Sequence, residues 1–354
     1  MAYYGTRVPK DDKVLKIADM PEGYKARSKE EQAAIDKYER DQTLSLVPWL
    51  LRNTSWVMAT YILGVNVLAA FAVPHLFDCK WQTLAGMLAF YMIGGFGVTG
   101  GLHRLWSHKS YKGNVVYRFL VMICSSIANQ GTIYHWSRDH RTHHKYSETK
   151  ADPHNALREF FFAHVGWLLL KKDPRVKFAG NQIPMDDLAA MPEVQLQKRF
   201  DPLWNLAWSF VAPAIVGNLL WGETVYKGFL LMGVLRYVLC LNGTWLVNSA
   251  AHLYGGHPYD EHINPAENSM VSILSMGEGW HNWHHAFPHD YAASELGVSS
   301  QYNPTKLLID ICAIFGLVSD RRRAHDHWEA RMKKRGISKV GLEGPPLLRE
   351  RTVA

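Results

Sequence analysis

Four long apolar stretches constrain the fold of this chain more than any other feature of its sequence. They cover residues 56–77, 81–99, 203–221 and 228–247. Each is long enough, as a helix, to cross the ~30 Å hydrocarbon core of a bilayer. Backbone polar groups inside a bilayer must pair within their own segment, which favours helices. We therefore expect an all-α chain with four transmembrane helices.

Three histidine clusters lie between or after these stretches. The first is HRLWSH from His103, the second is HRTHH from His140, and the third is HNWHH from His281. Residues three or four apart share one face of a helix, and neutral imidazole commonly binds iron, zinc or copper. A single HxxHH is more often structural, but three clusters in one chain favour a metal centre. Eight imidazoles are too many for one tetrahedral zinc and suit two metal ions.

The clusters also constrain the topology. A fifth apolar run, over 115–131, is shortened by Arg118 to about thirteen residues, which is too few to span a bilayer. If it did cross, the first two clusters would lie on opposite faces and could not share a metal, so we expect a buried or interfacial helix. The segment 103–202 carries 15 Lys and Arg, whereas the links 75–80 and 223–227 carry one Lys each. By the positive-inside rule, the clusters and both termini face the cytosol.

Three parts of the chain are expected from this topology. They are a cytosolic N-terminal segment (1–50), a membrane domain (51–320) and a basic cytosolic tail (321–354). Within the middle part, regions 100–202 and 248–320 should form a cytosolic helical cap that holds the histidines. Asn303 followed by Pro304 predicts a helix start, with the helix running to about residue 317. Arg236 inside the fourth stretch must either pair within the bundle or lie near the membrane boundary.

The net charge of the chain is +7. This charge fits anionic lipid or an anionic ligand, and since no nucleic-acid-binding motif accompanies it, we expect no nucleic-acid partner. The four cysteines are far apart and form no CxxC pair, so neither a disulfide framework nor a zinc ribbon is expected.

Longer motifs surround the histidines. They read GLHRLWSH from Gly101, RDHRTHHKYSETKADPHN from Arg138, NGTWLVNSAAH from Asn242 and GEGWHNWHH from Gly277. Together they resemble the membrane fatty acyl desaturases, most closely the animal stearoyl-CoA desaturase type, over about residues 49–328. The resemblance implies O2-dependent insertion of a cis double bond, at Δ9, into a saturated long-chain acyl-CoA. It also implies residence in the endoplasmic reticulum membrane.

The resemblance implies two iron ions and assigns their ligands. One iron is expected among His103, His108, His140, His144 and His284. The other is expected among His143, His252, His281 and His285, with Asn248 reaching it through water. The residues alone would make His252 only an interface residue. Three further histidines are expected to orient ligands through hydrogen bonds, namely His135, His154 and His289. Zinc is expected to bind the same nitrogens as an inactive substitute.

The substrate contacts are likewise implied by the resemblance. The bend of an acyl tunnel is expected at Gln130, Trp136, Thr244 and Trp245. The closed end of the tunnel is expected near Tyr91 and Gly95, where the glycine is smaller than is usual in the family. The coenzyme A head group is expected at Arg52, Asn53, Arg138, Asp139, Lys171 and Lys172.

The chemistry sets the remaining requirements. An unactivated methylene has no acidic proton, so the oxidant must come from O2 at a redox metal, which zinc cannot supply. The sequence contains no haem-binding HPGG segment, and the resemblance implies electrons from cytochrome b5 and its reductase. A related hydroxylase, or an acyl-lipid desaturase of other regiochemistry, remains the alternative. A non-catalytic metal-binding or transport protein is disfavoured, because transporters place their ligands within the spans.

Overall fold

A computed structural model describes residues 20–334 of the chain. Within this range the fold is helical, and the two short strands β1 (Lys112–Gly113) and β2 (Val318–Ser319) pair antiparallel. The all-α prediction is therefore confirmed. The expectations for residues 1–19 and 335–354 lie outside the described residues.

The helices follow one another in this order. The first group is α1 (Lys29–Gln42), α2 (Leu46–Asn53), α3 (Trp56–Leu76), α4 (Trp81–Ser107), α5 (Val115–Ala128), α6 (Ile133–Tyr146), α7 (159–169), α8 (Pro174–Gly180), α9 (Asp186–Ala189) and α10 (Pro192–Phe200). The second group is α11 (Leu203–Trp221), α12 (Val225–Leu253), α13 (Ser269–Leu274), α14 (His281–Ala286), α15 (Pro304–Ile314) and α16 (His325–Lys334).

Four of these helices, α3, α4, α11 and α12, are long and apolar enough to cross a membrane, which confirms the four predicted spans. Two of them are longer than the sequence indicated. Helix α4 continues to Ser107 rather than 99, and α12 continues to Leu253 rather than 247. The predicted ends mark where the apolar residues stop, whereas the helical backbone runs on into the cap. The first histidine cluster and His252 therefore sit on extensions of membrane helices.

Helix α5 lies along the inner part of α4. A Cβ at Gly97 would overlap the backbone of Cys124, and one at Gly94 would touch Ala128. The absence of side chains at these two glycines is what allows the two helices to approach so closely. Arg118, which interrupts the apolar run, points to α10, where its Nε lies 2.6 Å from the Glu193 carboxylate. Helix α5 is thus a packed helix too short to span, as predicted.

Arg236 on α12 pairs within the bundle. Its side chain is fully buried and donates to the Ile127 carbonyl on α5 (2.7 Å) and to the Ser209 carbonyl on α11 (2.5 Å). Its Nε donates to the carbonyl of Met232 on its own helix (2.9 Å). The guanidinium therefore ties three helices together and satisfies the last turn of α5, whose C-terminal carbonyls are unpaired within the helix. A cation at a helix C-terminus is also favoured by the helix dipole.

Helix α15 starts as predicted and ends early. The Asn303 side chain accepts from the Lys306 N–H, and Pro304 is the first helical residue. The helix ends at Ile314 rather than near 317, because Gly316 takes a left-handed conformation (φ 69°) and turns the chain toward β2. This helix packs on the cap through Thr305 and Ile309, which are buried.

We expect Arg236→Leu to destabilise the protein by at least about 2 kcal/mol, because the Ile127 and Ser209 carbonyls would lose their donor in an apolar environment. Thermal unfolding of the detergent-solubilised protein measures the loss. Arg199→Leu, at an exposed arginine, is the control. Equal melting temperatures for the two variants would contradict this role for Arg236.

Candidate metal centre and adjoining tunnel

The first two histidines are brought together by an unusual turn of α4. The segment Gly97–Ser107 is π-helical, and the His108 N–H donates to the His103 carbonyl at 3.1 Å. A π-helix pairs residues five apart, whereas an α-helix would direct such residues to different sides. The two rings consequently lie with centroids 4.9 Å apart. The five-residue spacing of this cluster, which does not fit an α-helical face, is explained by the π-helix.

The remaining imidazoles come from three other elements. Helix α6 carries the second cluster and begins at an N-cap, Thr132, whose hydroxyl accepts from the His135 N–H. The short helix α14 carries the third cluster, and Glu267 accepts the N–H of Trp283 in its first turn (2.9 Å). The end of α12 contributes His252.

Five of the predicted histidines form the first group. Their ligand atoms lie within 4.8 Å of one another, and the residues are His103, His108, His140, His144 and His284. The Nε2 atom of His284 lies 2.9 Å from that of His103 and 3.0 Å from that of His144. The Nε2 atoms of His108 and His140 are 2.8 Å apart. All five rings therefore direct Nε2 toward one point.

Four more histidines form the second group, again with ligand atoms within 4.8 Å of one another: His143, His252, His281 and His285. The Nε2 of His281 lies 3.0 Å from that of His252 and 3.1 Å from that of His285. The His144 and His285 rings stack between the groups, with centroids 4.3 Å apart. The division into two groups is the same as the one implied by the family resemblance. Asn248 lies one turn before His252 and borders the cavity described below.

The donor set fits metal ions. Burial, and next the charge of neighbouring groups, holds the pKa well below its usual value at His108, His140, His144, His281, His284 and His285. Neutral imidazoles present lone pairs, and lone pairs about 3 Å apart repel unless a cation lies between them. Two nitrogens bound at ~2.1 Å and at right angles would be ~3.0 Å apart. Each group could therefore hold one metal ion.

Carboxylates behind the rings orient two of them. The Nδ1 of His143 lies 2.9 Å from Asp152 Oδ1, and the Nδ1 of His103 lies 2.9 Å from Glu278 Oε2. Such contacts fix the tautomer that leaves Nε2 free for metal. Arg104 in turn contacts Glu278 at 2.9 Å. Burial raises the pKa of Glu278, but Arg104 and His103 lower it by more, so the group stays ionised.

Neither Asp152 nor Glu278 was predicted as a site residue, although both lie inside the long motifs that surround the histidines. Of the three histidines expected to orient ligands, His154 lies beside the ring of His143 (centroids 4.3 Å apart), and its backbone N–H, not its ring, donates to Asp152 Oδ1 (3.2 Å). His135 instead contacts Thr132, and the His289 ring contacts that of His327. These two contacts give no support to an orienting role for His135 or His289.

An apolar cavity borders both histidine groups. Its lining includes His103 and His140 of the first group, and His143 and His281 of the second. Trp136 and Thr244 line the cavity, and Gln130 links them: it donates to Thr244 (2.9 Å) and accepts from the Trp136 indole N–H (3.3 Å). The Trp136 ring stacks on His140. Trp245, also predicted at the bend, packs in the core with its ring against His164.

Tyr91 and Gly95 also line this cavity. The Tyr91 hydroxyl donates to the carbonyl of Leu274 (2.5 Å), which joins α4 to α13 at the cavity wall. A Cβ at Gly95 would overlap the Met276 sulfur. Gly95 therefore faces the interior and not lipid.

The predicted head-group residues occupy neighbouring segments. The Lys171 N–H donates to the Asn53 carbonyl (2.7 Å), which places these two chain segments side by side. Asp139 pairs with Arg138 (3.2 Å) and also with Lys172.

Arg52 pairs with Asp41 (2.9 Å), while the Asn53 side chain is buried and accepts from Gln42. A cavity of about 580 Å3 adjoins Lys171 and Lys172. Of the head-group residues, only these two lysines border it.

Residues 80–297 match the family model "Fatty acid desaturase". A human protein named "Stearoyl-CoA desaturase 5" is 42% identical, covering 81% of this chain and 87% of its own length. The Caenorhabditis elegans "Delta(9)-fatty-acid desaturase fat-6" is 46% identical over 77% of this chain and 80% of its own length. For the Mus musculus "Acyl-CoA desaturase 3", the identity is 47%, over 73% of this chain and 72% of that protein.

The chain belongs to the fatty acid desaturase family. It is a multi-pass membrane protein, and this desaturase carries two histidine groups that could each hold a metal ion. The resemblance inferred from the motifs is thereby confirmed.

We expect Asp152→Asn in this desaturase to weaken metal retention by about 10-fold to 100-fold, because His143 would lose its charged partner. Metal content per protein, measured after titration with a chelator, reports the change. Asp36→Asn, on the exposed side of α1, should retain metal like the unaltered protein. Identical retention in both variants would show that Asp152 does not support His143.

Proposed function

We propose that this protein is an acyl-CoA desaturase that introduces a cis Δ9 double bond into a saturated long-chain acyl-CoA. One observation carries the proposal: a narrow apolar cavity passes both histidine groups, so a methylene chain threaded through it would lie beside the metals. The names of the relatives, which specify stearoyl-CoA and Δ9, support the substrate class and the position.

We propose iron as the metal in both groups, with the nine histidines as ligands and Asn248 contacting one iron through water. When bound, two irons supply the redox chemistry that turns O2 into an oxidant of an unactivated C–H bond. The carboxylates of Asp152 and Glu278 hold His143 and His103 in the required tautomer. The apolar lining excludes water from the reacting methylenes.

The electron balance requires an external donor. Reduction of O2 to two waters consumes four electrons, of which the alkyl chain provides two when it loses two hydrogens. We propose that the other two come from cytochrome b5 and its reductase. The excess of Lys and Arg in 103–202 supports a cytosolic cap and cytosolic termini, in the endoplasmic reticulum membrane.

One set of side chains is proposed to contact the acyl chain, and another set is proposed to contact the head group. Gln130, Thr244 and Trp136 form a hydrogen-bonded chain next to His140, which suits them to hold the acyl chain at the site of oxidation. For the head group, Lys171, Lys172 and Arg138 supply cations for phosphates, and Asp139 holds two of these cations in place. Arg52 and Asn53 are proposed to contact the head group beside these residues.

Expression in a desaturase-deficient cell tests the proposal. Mass spectrometry of the cellular lipids should show a new cis double bond between carbons 9 and 10. A hydroxylated chain would indicate the related hydroxylase instead, and a bond elsewhere would indicate a desaturase of other regiochemistry. Unchanged lipids, with the protein inserted and loaded with iron, would contradict the proposed function.

We expect alanine at any one of His140, His143, His144, His281, His284 or His285 to abolish turnover, because each would remove a metal ligand. Insertion of the four spans should be unaffected. His262→Ala is the matched control, since this histidine is exposed and lies outside both groups. Full activity in any two of the six variants would contradict the diiron assignment.

Activity is expected to follow iron content. Zinc binds nitrogen ligands more tightly than Fe(II), so overproduced protein can take up zinc and remain folded but inactive. Metal analysis of several preparations, alongside turnover, gives the correlation. A rate that followed zinc content would point to hydrolytic chemistry.

A further inference from the structure

Met276 lies in the wall of the apolar cavity next to Gly95, where the closed end of the acyl tunnel is expected. Its side chain is 1% exposed, borders the cavity together with Tyr91 and Thr99, and fills the space beside Gly95. The cavity volume is about 50 Å3, so each bordering side chain takes a large share of the room left for an acyl tail. An acyl chain that reached this part of the cavity would contact the thioether of Met276.

The backbone of Met276 is in a conformation that normally favours glycine. Helix α13 ends at the C-cap Ser275, and Met276 follows in the left-handed region with φ 58°. The Gly277 N–H donates to the Ser272 carbonyl (2.8 Å), the bond of a Schellman motif. Glycine is the usual residue at this position of the motif because a Cβ is unfavourable there. A methionine is therefore unusual at this position, which indicates that its side chain has a structural or functional role.

The backbone of Met276 is held in place by a hydrogen bond, whereas the end of its side chain can change conformation. The Thr305 hydroxyl on α15 donates to the Met276 carbonyl (2.8 Å), and it also contacts the Thr99 hydroxyl on α4 (2.7 Å). The three side-chain torsions of methionine then let the sulfur and methyl group fill an irregular space.

We propose that Met276 is the residue that sets the longest acyl chain the tunnel accepts, acting as a pair with Gly95. The glycine leaves space on α4, and the methionine extends from the α13 turn to fill it. Tunnel length is therefore determined by the combined volume at positions 95 and 276. This inference rests on the proposed acyl-CoA substrate and adds a specificity-determining residue to it.

Competition among 14-, 16-, 18- and 20-carbon saturated acyl-CoAs tests the proposal. Met276→Ala removes the thioether, so room for one to two further CH2 groups should appear. Each buried CH2 corresponds to a factor of about four in binding, so the preference for the longer member of a two-carbon pair should rise about fourfold to fifteenfold. The position of the double bond should not change.

Met122→Ala is the matched control. Met122 on α5 is also 1% exposed but does not border the cavity. This variant should lose stability through a comparable cavity and keep the chain-length preference of the unaltered protein. An equal shift of preference in both variants would mean that Met276 acts only through packing, which overturns the proposal.

A double variant tests the pairing directly. Gly95→Leu alone would push against the sulfur and should shift preference to shorter chains. Made in the Met276→Ala background, where the leucine has vacated space to occupy, the same Gly95→Leu change should shift the preference much less than it does beside Met276. An equal shift in the two backgrounds, which is what independent effects give, would overturn the proposed pair. If Met276→Ala does not fold, Met276→Gly, which suits the left-handed backbone at this position, should give a shift in the same direction.

A binding measurement separates this inference from the proposed function. Without an electron donor, a saturated acyl-CoA can bind but cannot react, so the rise in melting temperature reports fit alone. The chain length giving the largest rise should increase in Met276→Ala even if the reaction product is unexpected. An unaltered protein that makes no double bond contradicts the proposed function. An active protein whose length ranking is the same with and without Met276 contradicts the inference.

Discussion

The centre of this molecule depends on holding nine imidazoles close together in the protein interior. Their nitrogens approach to 2.8–3.1 Å, a separation that uncompensated lone pairs resist. A cation between these nitrogens would supply the attraction, and the protein supplies the alignment. The carboxylates of Asp152 and Glu278 are central to that alignment, because they contact the Nδ1 side of His143 and His103, away from the Nε2 atoms.

The membrane helices serve this arrangement by continuing past the apolar part of the chain. Helix α4 delivers His103 and His108 on its π-helical end, and α12 delivers His252. Each of these two helices is anchored in the bundle and ends at the histidine groups. Helix α5 fills the space between the bundle and the cap. Arg118 joins it to Glu193 on α10, and Arg236 on α12 donates to its Ile127 carbonyl.

Much of this was predictable from the sequence, for identifiable reasons. Long apolar runs and repeated histidine spacings are strong local signals, so the spans and eight of the imidazoles could be named from them, whereas His252 was implied only by the family resemblance. Asp152 follows His143 by nine residues, and Glu278 lies far from His103 in the chain, so no periodic pattern connects them. The π-helix was also missed, because spacing rules assume 3.6 residues per turn. Met276 gives no signal at all until its backbone conformation is known.

The Arg236 guanidinium also helps to fix the positions of Gln130 and Thr244. Gln130 follows the end of α5 that this group caps, and its hydrogen-bond partner Thr244 lies on the same helix as Arg236, ~12 Å further along. The Gln130–Thr244 hydrogen bond is therefore held by the same helix whose buried arginine ties α5 and α11 together. A change in the tilt of α12 would move Thr244 and Arg236 together, and so would act on the side chains next to His140.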